Sequence, residues 1–177
     1  MGKIRVKNYE NIFIGEYPFH KQLKDELVPL LENHPDEMGR KTNVKATMTK
    51  YDWDPKSDRL ERLKNILLES AFSNCNFRWR DAGDAQYFMK HFWANIYRKG
   101  DYTISHDHKP QFLSCVYFLK TKWYYSPLVF SDSGKKIRPK EGTFVIFPSH
   151  LNHFVSKHRY RETRITLSGN MRIKEYL

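Results

Sequence analysis

Cysteine is almost absent from this sequence, since only Cys75 and Cys115 occur among its 177 residues. With so few cysteines, neither a framework of structural disulfides nor a cysteine-based zinc site is expected. Cys115 lies in the apolar run FLSCVYFL, where a buried free thiol is the simplest interpretation. Reactive chemistry in this chain is therefore expected from other residue types.

Long apolar runs are missing as well. No segment approaches the roughly 20 apolar residues of a membrane-spanning helix. The first ten residues, MGKIRVKNYE, contain no apolar stretch of the kind found in signal peptides. Val6 stands where an N-myristoylation signal has serine or threonine. These absences predict a cytoplasmic protein without a membrane partner.

The chain also lacks internal repeats, low-complexity tracts and linkers rich in glycine and serine. Its length suits one domain, and its 40% of hydrophobic residues is enough for a sizeable core. We predict a single domain over residues 1–177. Within it, residues 1–86 are expected to form mostly helical support and residues 87–177 a β-rich core.

Acidic residues are fewer than basic ones. The chain has 20 aspartates and glutamates and 31 lysines and arginines, which gives a net charge of +11. This excess favours an anionic partner, whether nucleic acid, phosphate, a membrane surface or an acidic substrate. The basic residues are dispersed along the chain, and most such clusters on proteins are simply solvated. The charge alone therefore identifies no binding surface, and the oligomeric state is equally open.

Apolar spacing predicts two helices in the first half, one at residues 21–32 and one that begins after an N-cap at Ser57. Both are interpreted as supports for a sheet, and an opening strand is predicted before them at residues 11–15. Beyond residue 87, short runs rich in β-branched and aromatic residues alternate with turn signals. The predicted strands cover residues 88–98, 112–120, 128–131, 143–147, 152–157 and 163–168. Many short strands of this kind indicate a barrel or sandwich.

The stretch YTISHDHKP places His106, Asp107 and His108 in a row. In a strand, residues two apart share a face, so His106 and His108 would point to one side and Asp107 to the other. A third ligand must come from elsewhere, and FPSHLNHFV offers His150 and His153. Three histidines would leave coordination positions open, as in a reactive metal site. A lone H-x-H pair, however, also occurs by chance.

Arg164 provides the context, because it lies in the strand-like run TRITLS, eleven residues after His153. An arginine in an otherwise apolar strand is costly unless an anion meets it, and its planar fork suits a carboxylate. Thr166, on the same face, would add a hydroxyl donor. The alternative is an arginine at an exposed edge. Together with the histidines, Arg164 favours a metal site that also binds a carboxylate.

The order of these motifs resembles a known family. YRKGDYTISHDH, SPLVF, EGTFVIFPS and ETRITLS follow one another as in the Fe(II)- and 2-oxoglutarate-dependent dioxygenases, and they look most like the compact members found in bacteria and tailed phages. The likeness covers residues 93–170. It implies a mainly β fold with flanking helices, the cupin-like double-stranded β-helix or jelly roll, in agreement with the predicted strands.

The resemblance implies metal ligands. His106 takes the place of the first iron ligand of the family and His153 that of the last. Most of the family has a carboxylate where this chain has His108, and Asp107 is displaced by one residue. Two outcomes are open: a regular strand gives three histidines, and a bulge that turns Asp107 inward restores two histidines and one carboxylate. We favour His108, because the alternation of a regular strand then places it beside His106 without a bulge. His150 is interpreted as a neighbour of the site and not a ligand.

The resemblance also implies a binding site for the co-substrate. Arg164 takes the place of the basic residue that pairs with the distal carboxylate of 2-oxoglutarate, and Thr166 that of the hydroxyl beside it. Tyr97 stands where members similar to prolyl hydroxylases place a tyrosine that contacts 2-oxoglutarate. Asn95, on the same face of that strand, is a further candidate for lining the pocket.

The implied activity is that of a dioxygenase that uses Fe(II), 2-oxoglutarate and dioxygen, releases succinate and CO2, and hydroxylates a peptide, a protein or a small molecule. If a phage encodes the chain, it would act in the host cytoplasm. The basic charge, with Arg159 and Arg161 near Arg164, leaves a nucleic-acid-directed oxygenase as an alternative. A non-catalytic cupin-like metal-binding module is a third reading.

Aromatic residues are the remaining candidates for the site. Residues 39–56 and 123–126 form two aromatic-rich loops that we expect to contact a substrate. Phe118, Phe144 and Phe147 are candidates for the wall of a dry pocket. Periodicity alone does not fix which of these three rings faces inward.

Overall fold

The computed structural model describes residues 7–9, 11–74 and 86–174, so Cys75 lies outside the described residues. The described helices are α1 (His20–Glu32) and α2 (Asp58–Asn74). The described strands are β1 (Lys7–Tyr9), β2 (Ile12–Glu16), β3 (Val44–Lys45), β4 (Thr47–Met48), β5 (Gln86–Tyr97), β6 (Tyr102–His106), β7 (Leu113–Lys120), β8 (Leu128–Phe130), β9 (Lys136–Ile137), β10 (Thr143–Pro148), β11 (His153–Val155) and β12 (Arg164–Lys174). Neither helix is long and apolar enough to cross a membrane.

The strands form two sheets that face each other. The larger sheet has the order β1-β2-β10-β7-β12-β5-β4, and the smaller one has the order β3-β6-β11-β8-β9. From β5 onward the chain passes back and forth between the two sheets, and neighbouring strands are antiparallel. This alternation is the pattern of a jelly roll, so the predicted fold class is confirmed.

Both helices pack on the outer face of the larger sheet. Leucines at helical spacing are buried in each of them, and they join residues of β5, β7 and β12 in one apolar cluster. The cap predicted at Ser57 is present, because its Oγ accepts a hydrogen bond of 3.1 Å from the backbone N–H of Leu60. The helices therefore support the sheet, as predicted.

A second apolar cluster fills the space between the sheets. Period-two alternation decides which residues enter it: on β7, Val116 and Phe118 face the smaller sheet, whereas Cys115 and Tyr117 face the helices. Cys115 is a buried free thiol, as expected. The same alternation on β12 places Arg164 between the sheets, where it lines a pocket.

The structure differs from the sequence predictions in two respects. The first 86 residues contribute four short strands to the two sheets, so the β core does not begin at residue 87. Strands of two to five residues are too short to show a clear period, which explains why most were missed. The last strand continues to Lys174 because Gly169 does not end it: a Cβ there would lie 2.7 Å from the Phe92 ring, so only glycine fits.

Candidate metal centre

Three histidines meet at one end of the smaller sheet. His106 ends β6 and lies directly opposite His153, which begins β11. His108 follows in the turn after β6, where its backbone N–H donates a 2.8 Å hydrogen bond to the carbonyl of Ser149. One ligand atom from each of the three imidazoles can be chosen so that all lie within 4.8 Å of one another. In the described part of the chain, no other group of three or more metal-ligating side chains comes together in this way.

Backbone contacts orient two of the rings. Nδ1 of His106 lies 2.8 Å from the carbonyl oxygen of Ile104, and Nδ1 of His153 lies 3.0 Å from that of Leu151. If each Nδ1–H donates to its carbonyl, the lone pair of each Nε2 is left for a metal ion. Such second partners are typical of metal-bound histidines.

The environment keeps the imidazoles neutral. Burial, reinforced by the two neighbouring rings, lowers the pKa of His108 to about 3. Burial likewise lowers the pKa of His153 to about 4 and reduces the pKa of His106. A metal ion binds the neutral form of imidazole, so these rings do not need to lose a proton at neutral pH.

Asp107 and His150 lie outside the cluster. The carboxylate of Asp107 faces Lys109, with Oδ2 3.1 Å from Nζ, and it accepts a hydrogen bond from the Lys109 backbone. His150 is exposed in the turn that follows β10. The geometry thus groups His108 with His106 and His153.

A turn, and not the alternation of a strand, positions His108. The strand ends at His106, so strand parity does not position His108. The β6–β11 pairing does contain an irregularity, but it falls between Thr103 and His106 and not at Asp107. The turn held by Ser149 places the His108 ring instead.

Arg164 is almost completely buried, with 1% of its surface exposed. Its guanidinium lies 5.1 Å from the ring centroid of Tyr97 and 5.8 Å from that of Phe118. No hydrogen-bond partner is present for Nε or Nη1 among the described residues. Burial lowers the pKa of this guanidinium, as expected for a cation held away from water. A buried cation with free donors on a planar fork is suited to a carboxylate.

A ladder of polar side chains runs beside Arg164. Across the β5–β12 pairing, Tyr97 faces Arg164 and Asn95 faces Thr166. The Asn95 amide donates to the hydroxyls of Thr166 (3.4 Å) and Ser168 (2.9 Å). Its oxygen accepts a hydrogen bond from the indole of Trp93. Asn95 therefore organises the pocket wall, while the hydroxyl of Thr166 lies on the same face as Arg164.

One pocket between the two sheets is lined by the histidine cluster and by Arg164. Its wall includes the three histidines, Arg164 and the polar ladder. Outside it, a groove of about 260 Å³ is lined by residues that include Lys41, Tyr51, His106 and His108. His106 and His108 line both spaces, so the groove and the pocket adjoin at the histidine cluster.

The structure also sorts the aromatic candidates. Phe147 lines the pocket and Phe118 packs against Arg164, whereas Phe144 points to the helix-facing cluster and is not part of the wall. Of the two loops, residues 39–56 contribute to the groove. The loop at residues 123–126 follows β7 at the other end of the smaller sheet, and it lines neither space.

Several site residues were missed in the sequence. Thr103, whose Oγ1 lies 2.7 Å from the Tyr97 hydroxyl, and Ser168 both line the pocket. Parity offered a signal for Ser168, because it follows Arg164 and Thr166 at the same two-residue spacing. Lys41 lies in the loop 39–56 that was predicted to contact a substrate, but its backbone is irregular and no periodicity singled this residue out.

Comparison with known proteins adds evidence on the fold. No protein-family model matches the chain, and no curated protein matches its sequence. Among solved structures, the viral collagen prolyl hydroxylase of Paramecium bursaria Chlorella virus-1, in complex with 2-oxoglutarate, has a TM-score of 0.71 at 14% identity, over 94% of this chain and 97% of that one. A prolyl-4-hydroxylase of Pseudomonas putida has a TM-score of 0.65 at 15% identity, over 93% and 94% of the two chains.

A third similar structure is an oxidoreductase of the 2OG-Fe(II) oxygenase family from Burkholderia pseudomallei. It has a TM-score of 0.53 at 13% identity, over 96% of this chain and 72% of that one. At such identities the likeness shows the fold. Together with the sheet topology, it shows that the chain has the double-stranded β-helix fold of these oxygenases.

Proposed function

We propose that the chain is an Fe(II)- and 2-oxoglutarate-dependent dioxygenase that hydroxylates a peptide, a protein or a small molecule. One observation carries this proposal: three imidazoles within ligand distance of one another and a buried guanidinium with free donors line the same pocket. A divalent metal ion would bind to the three imidazoles, and a carboxylate would bind to the guanidinium.

The histidine cluster fits a divalent metal ion. His106, His108 and His153 would hold it, with Nδ1 of His106 and of His153 engaged by backbone carbonyls. Three imidazoles also bind zinc, nickel or copper, so the cluster by itself does not select iron. The proposal of iron rests on Arg164. Its guanidinium would bind the carboxylate of an acidic co-substrate in the same pocket, and iron is the metal that acts together with such a co-substrate in the proposed reaction.

The residues that line the pocket suit 2-oxoglutarate. Arg164 would hold the distal carboxylate through its free Nε and Nη1 donors, and the Thr166 hydroxyl would support the same group. Tyr97 packs against the guanidinium and keeps it in place. Asn95 acts through Thr166 and Ser168, whose hydroxyls its amide orients.

With iron and 2-oxoglutarate bound, dioxygen would be the oxidant: one of its oxygen atoms would go to succinate as 2-oxoglutarate loses CO2, and the other to the hydroxylated substrate. The chain binds both groups, orients the co-substrate through Arg164 and keeps the pocket dry. Phe147 and Trp93 line that pocket, and both side chains are nearly buried. A dry pocket strengthens the electrostatic contacts and limits side reactions.

His108 sets the charge of this centre. A carboxylate in its place would cancel one of the two positive charges of the metal, whereas three neutral imidazoles leave both. With Arg164 in the same pocket, the centre favours anionic ligands. We infer that the dianion 2-oxoglutarate meets this demand.

The groove beside the histidines is the proposed entrance for the substrate. Its lining includes Lys41, Asn43 and Tyr51, and it reaches His106 and His108 from outside. The exposed ring of Tyr51 packs edge-on against Trp93, with 5.0 Å between centroids. An extended segment of a substrate would meet polar groups, a cation and an aromatic ring there. This supports a peptide or a small polar molecule.

The test measures succinate released from 2-oxoglutarate under air, with Fe(II) added, with a chelator added, and with His106→Ala as the inactive variant. His150→Ala serves as the matched control, because His150 is exposed outside the cluster. Succinate that depends on Fe(II) and on His106 supports the proposal. Metal binding without any succinate would support the non-catalytic module instead, and succinate that is insensitive to the chelator would refute the proposal.

A further inference from the structure

A second concave surface lies at the opposite end of β11 from His153. Its walls come from residues 124–127 in the loop after β7, from residues 156–160 after β11, and from Arg138 after β9. The cleft has a volume of about 280 Å³. We call this surface the tyrosine patch; it comprises Trp123, Tyr124, Tyr125, Tyr160, Arg138, Lys157 and Arg159.

Aromatic rings form a continuous row across the patch. Tyr125 is buried and stacks on Tyr160, with centroids 4.8 Å apart and an interplanar angle of 28°. Tyr124 contacts Tyr160 at 5.0 Å and Trp123 at 5.7 Å. Trp123 is 70% exposed, the largest exposed fraction of any large hydrophobic side chain that the structure describes. A large aromatic face is thus offered to solvent beside a rigid row of rings.

The two loops that carry the patch are tied together. The Ser126 hydroxyl donates to the carbonyl of Lys157 (3.2 Å), and the Tyr160 hydroxyl donates to that of Tyr124 (3.3 Å). Beneath them, the buried ring of His158 packs edge-on against Tyr125 at 4.7 Å. The surface is therefore a built part of the fold.

The charge of the cleft has one sign. Arg138, Lys157 and Arg159 line it and are exposed, and no acidic side chain is in its lining. Among the described residues, none of these three forms an ion pair. Glu162 lies in the same loop, but its carboxylate is paired with Lys122 at 2.9 Å. The patch therefore presents cations that have no carboxylate partner together with aromatic rings; Lys157 lies 5.8 Å from the ring centroid of Tyr102, and Lys122 lies 5.8 Å from that of Tyr124.

We propose that the tyrosine patch binds single-stranded nucleic acid. Single-strand-binding surfaces combine cations that follow the phosphate backbone with aromatic rings on which bases stack. An acidic peptide would satisfy the arginines but has no flat face for Trp123 and Tyr124. A duplex would satisfy the cations, but its bases are already stacked on one another. The net charge of +11 adds long-range attraction for a polyanion.

This site is separate from the histidine cluster. None of the seven residues of the patch lines the pocket or the groove. Binding at the patch therefore needs neither a metal ion nor 2-oxoglutarate, and the inference does not rest on the proposed function. Arg164→Met should leave it unchanged.

The experiment uses the full chain and fluorescein-labelled oligo-dT and oligo-rU of about 15 nucleotides, a length within known site sizes. Fluorescence anisotropy gives Kd over a series of salt concentrations. Trp123→Ala should weaken binding at least about fivefold, the effect of losing one stacked base. Trp123→Phe keeps a ring and should retain most of the affinity. Because Trp123 is exposed, neither change threatens the fold, and circular dichroism verifies this.

The cations are tested with Arg138→Ala/Arg159→Ala. Loss of two phosphate contacts should reduce the slope of log K against log salt by about 1.4. Lys50→Ala/Lys90→Ala removes the same charge from exposed positions outside the patch that form no ion pair among the described residues, and is the matched control. The proposal is overturned if both pairs weaken binding equally, if Trp123→Ala has no effect, or if no oligonucleotide binds at low salt. It is also overturned if a duplex or a polyglutamate peptide of equal charge binds as tightly.

Discussion

His153, the first residue of β11, lies directly opposite His106, the last residue of β6, and their ring centroids are 4.5 Å apart. The two imidazoles come from strands that are distant in sequence but adjacent in the smaller sheet. A metal ion held by both would join these strands in the folded state and would have no equivalent in the unfolded chain. Metal binding should therefore raise the free energy of unfolding.

The first prediction concerns that stability. At a free Co(II) concentration of about 100 times Kd, the free energy of unfolding should rise by about 2.7 kcal/mol. Thermal unfolding with Co(II) and with excess chelator measures the difference. His153→Ala should abolish the rise, whereas His150→Ala should keep it. A full rise in His153→Ala would show that the ion binds elsewhere.

Arg164→Met separates stability from co-substrate binding. Removing a buried guanidinium with two free nitrogens should leave the free energy of unfolding unchanged or increase it. Affinity for 2-oxoglutarate in the Mn(II)-loaded protein should fall more than about 30-fold, since a charge-assisted pair is lost. Urea unfolding and anaerobic calorimetry make the two measurements. Arg164→Lys keeps the positive charge without the planar guanidinium, so its affinity for 2-oxoglutarate should lie between those of the unmodified chain and Arg164→Met. Unchanged affinity in Arg164→Met would remove Arg164 from the co-substrate site.

Gly15→Ala tests the contact between Gly15 of β2 and the Phe144 ring of the neighbouring strand β10. A Cβ at residue 15 would lie 2.2 Å from Cζ of Phe144, so the ring must move. Overpacking of this kind should lower the free energy of unfolding by about 1–3 kcal/mol. The double variant Gly15→Ala/Phe144→Leu removes the clashing ring and should cost less than the two single changes combined. Strictly additive losses in urea unfolding would argue against this contact.

Ser57→Ala tests the start of α2. The lost hydrogen bond to the backbone of Leu60 should lower the free energy of unfolding by about 1 kcal/mol. Ser57→Asp keeps an acceptor at the cap and should cost little. Ser73→Ala, at an exposed position late in the same helix, is the control. Equal small effects at both serines would mean that the cap contributes nothing.

Much of this architecture could be predicted, because period-two and helical patterns report directly on burial. The alternation that placed Arg164 and Thr166 on one face needed no knowledge of neighbouring strands. The meeting of His106 and His153 was harder, since it depends on the register of β6 against β11. The sequence motif suggested that register only through the family resemblance.

Other features depend on contacts that leave no periodic trace. His108 reaches the cluster from a turn, through a backbone hydrogen bond to Ser149. Lys41 and Tyr51 reach the groove from irregular backbone. The tyrosine patch is assembled from two loops, and the stacking of Tyr125 on Tyr160 joins residues that no local pattern pairs. Such features follow from tertiary packing.

The central claim is that three imidazoles, with His108 in place of a carboxylate, form the metal centre. Anaerobic equilibrium dialysis of Fe(II) with His108→Ala and Asp107→Ala tests it most directly, and circular dichroism verifies that both variants fold. We expect His108→Ala to weaken Fe(II) binding more than about 100-fold, beyond the loss seen for second partners of metal ligands. Asp107→Ala, which loses only a contact with Lys109, should bind Fe(II) like the unmodified chain. Loss of Fe(II) binding in Asp107→Ala with full binding in His108→Ala would contradict the claim.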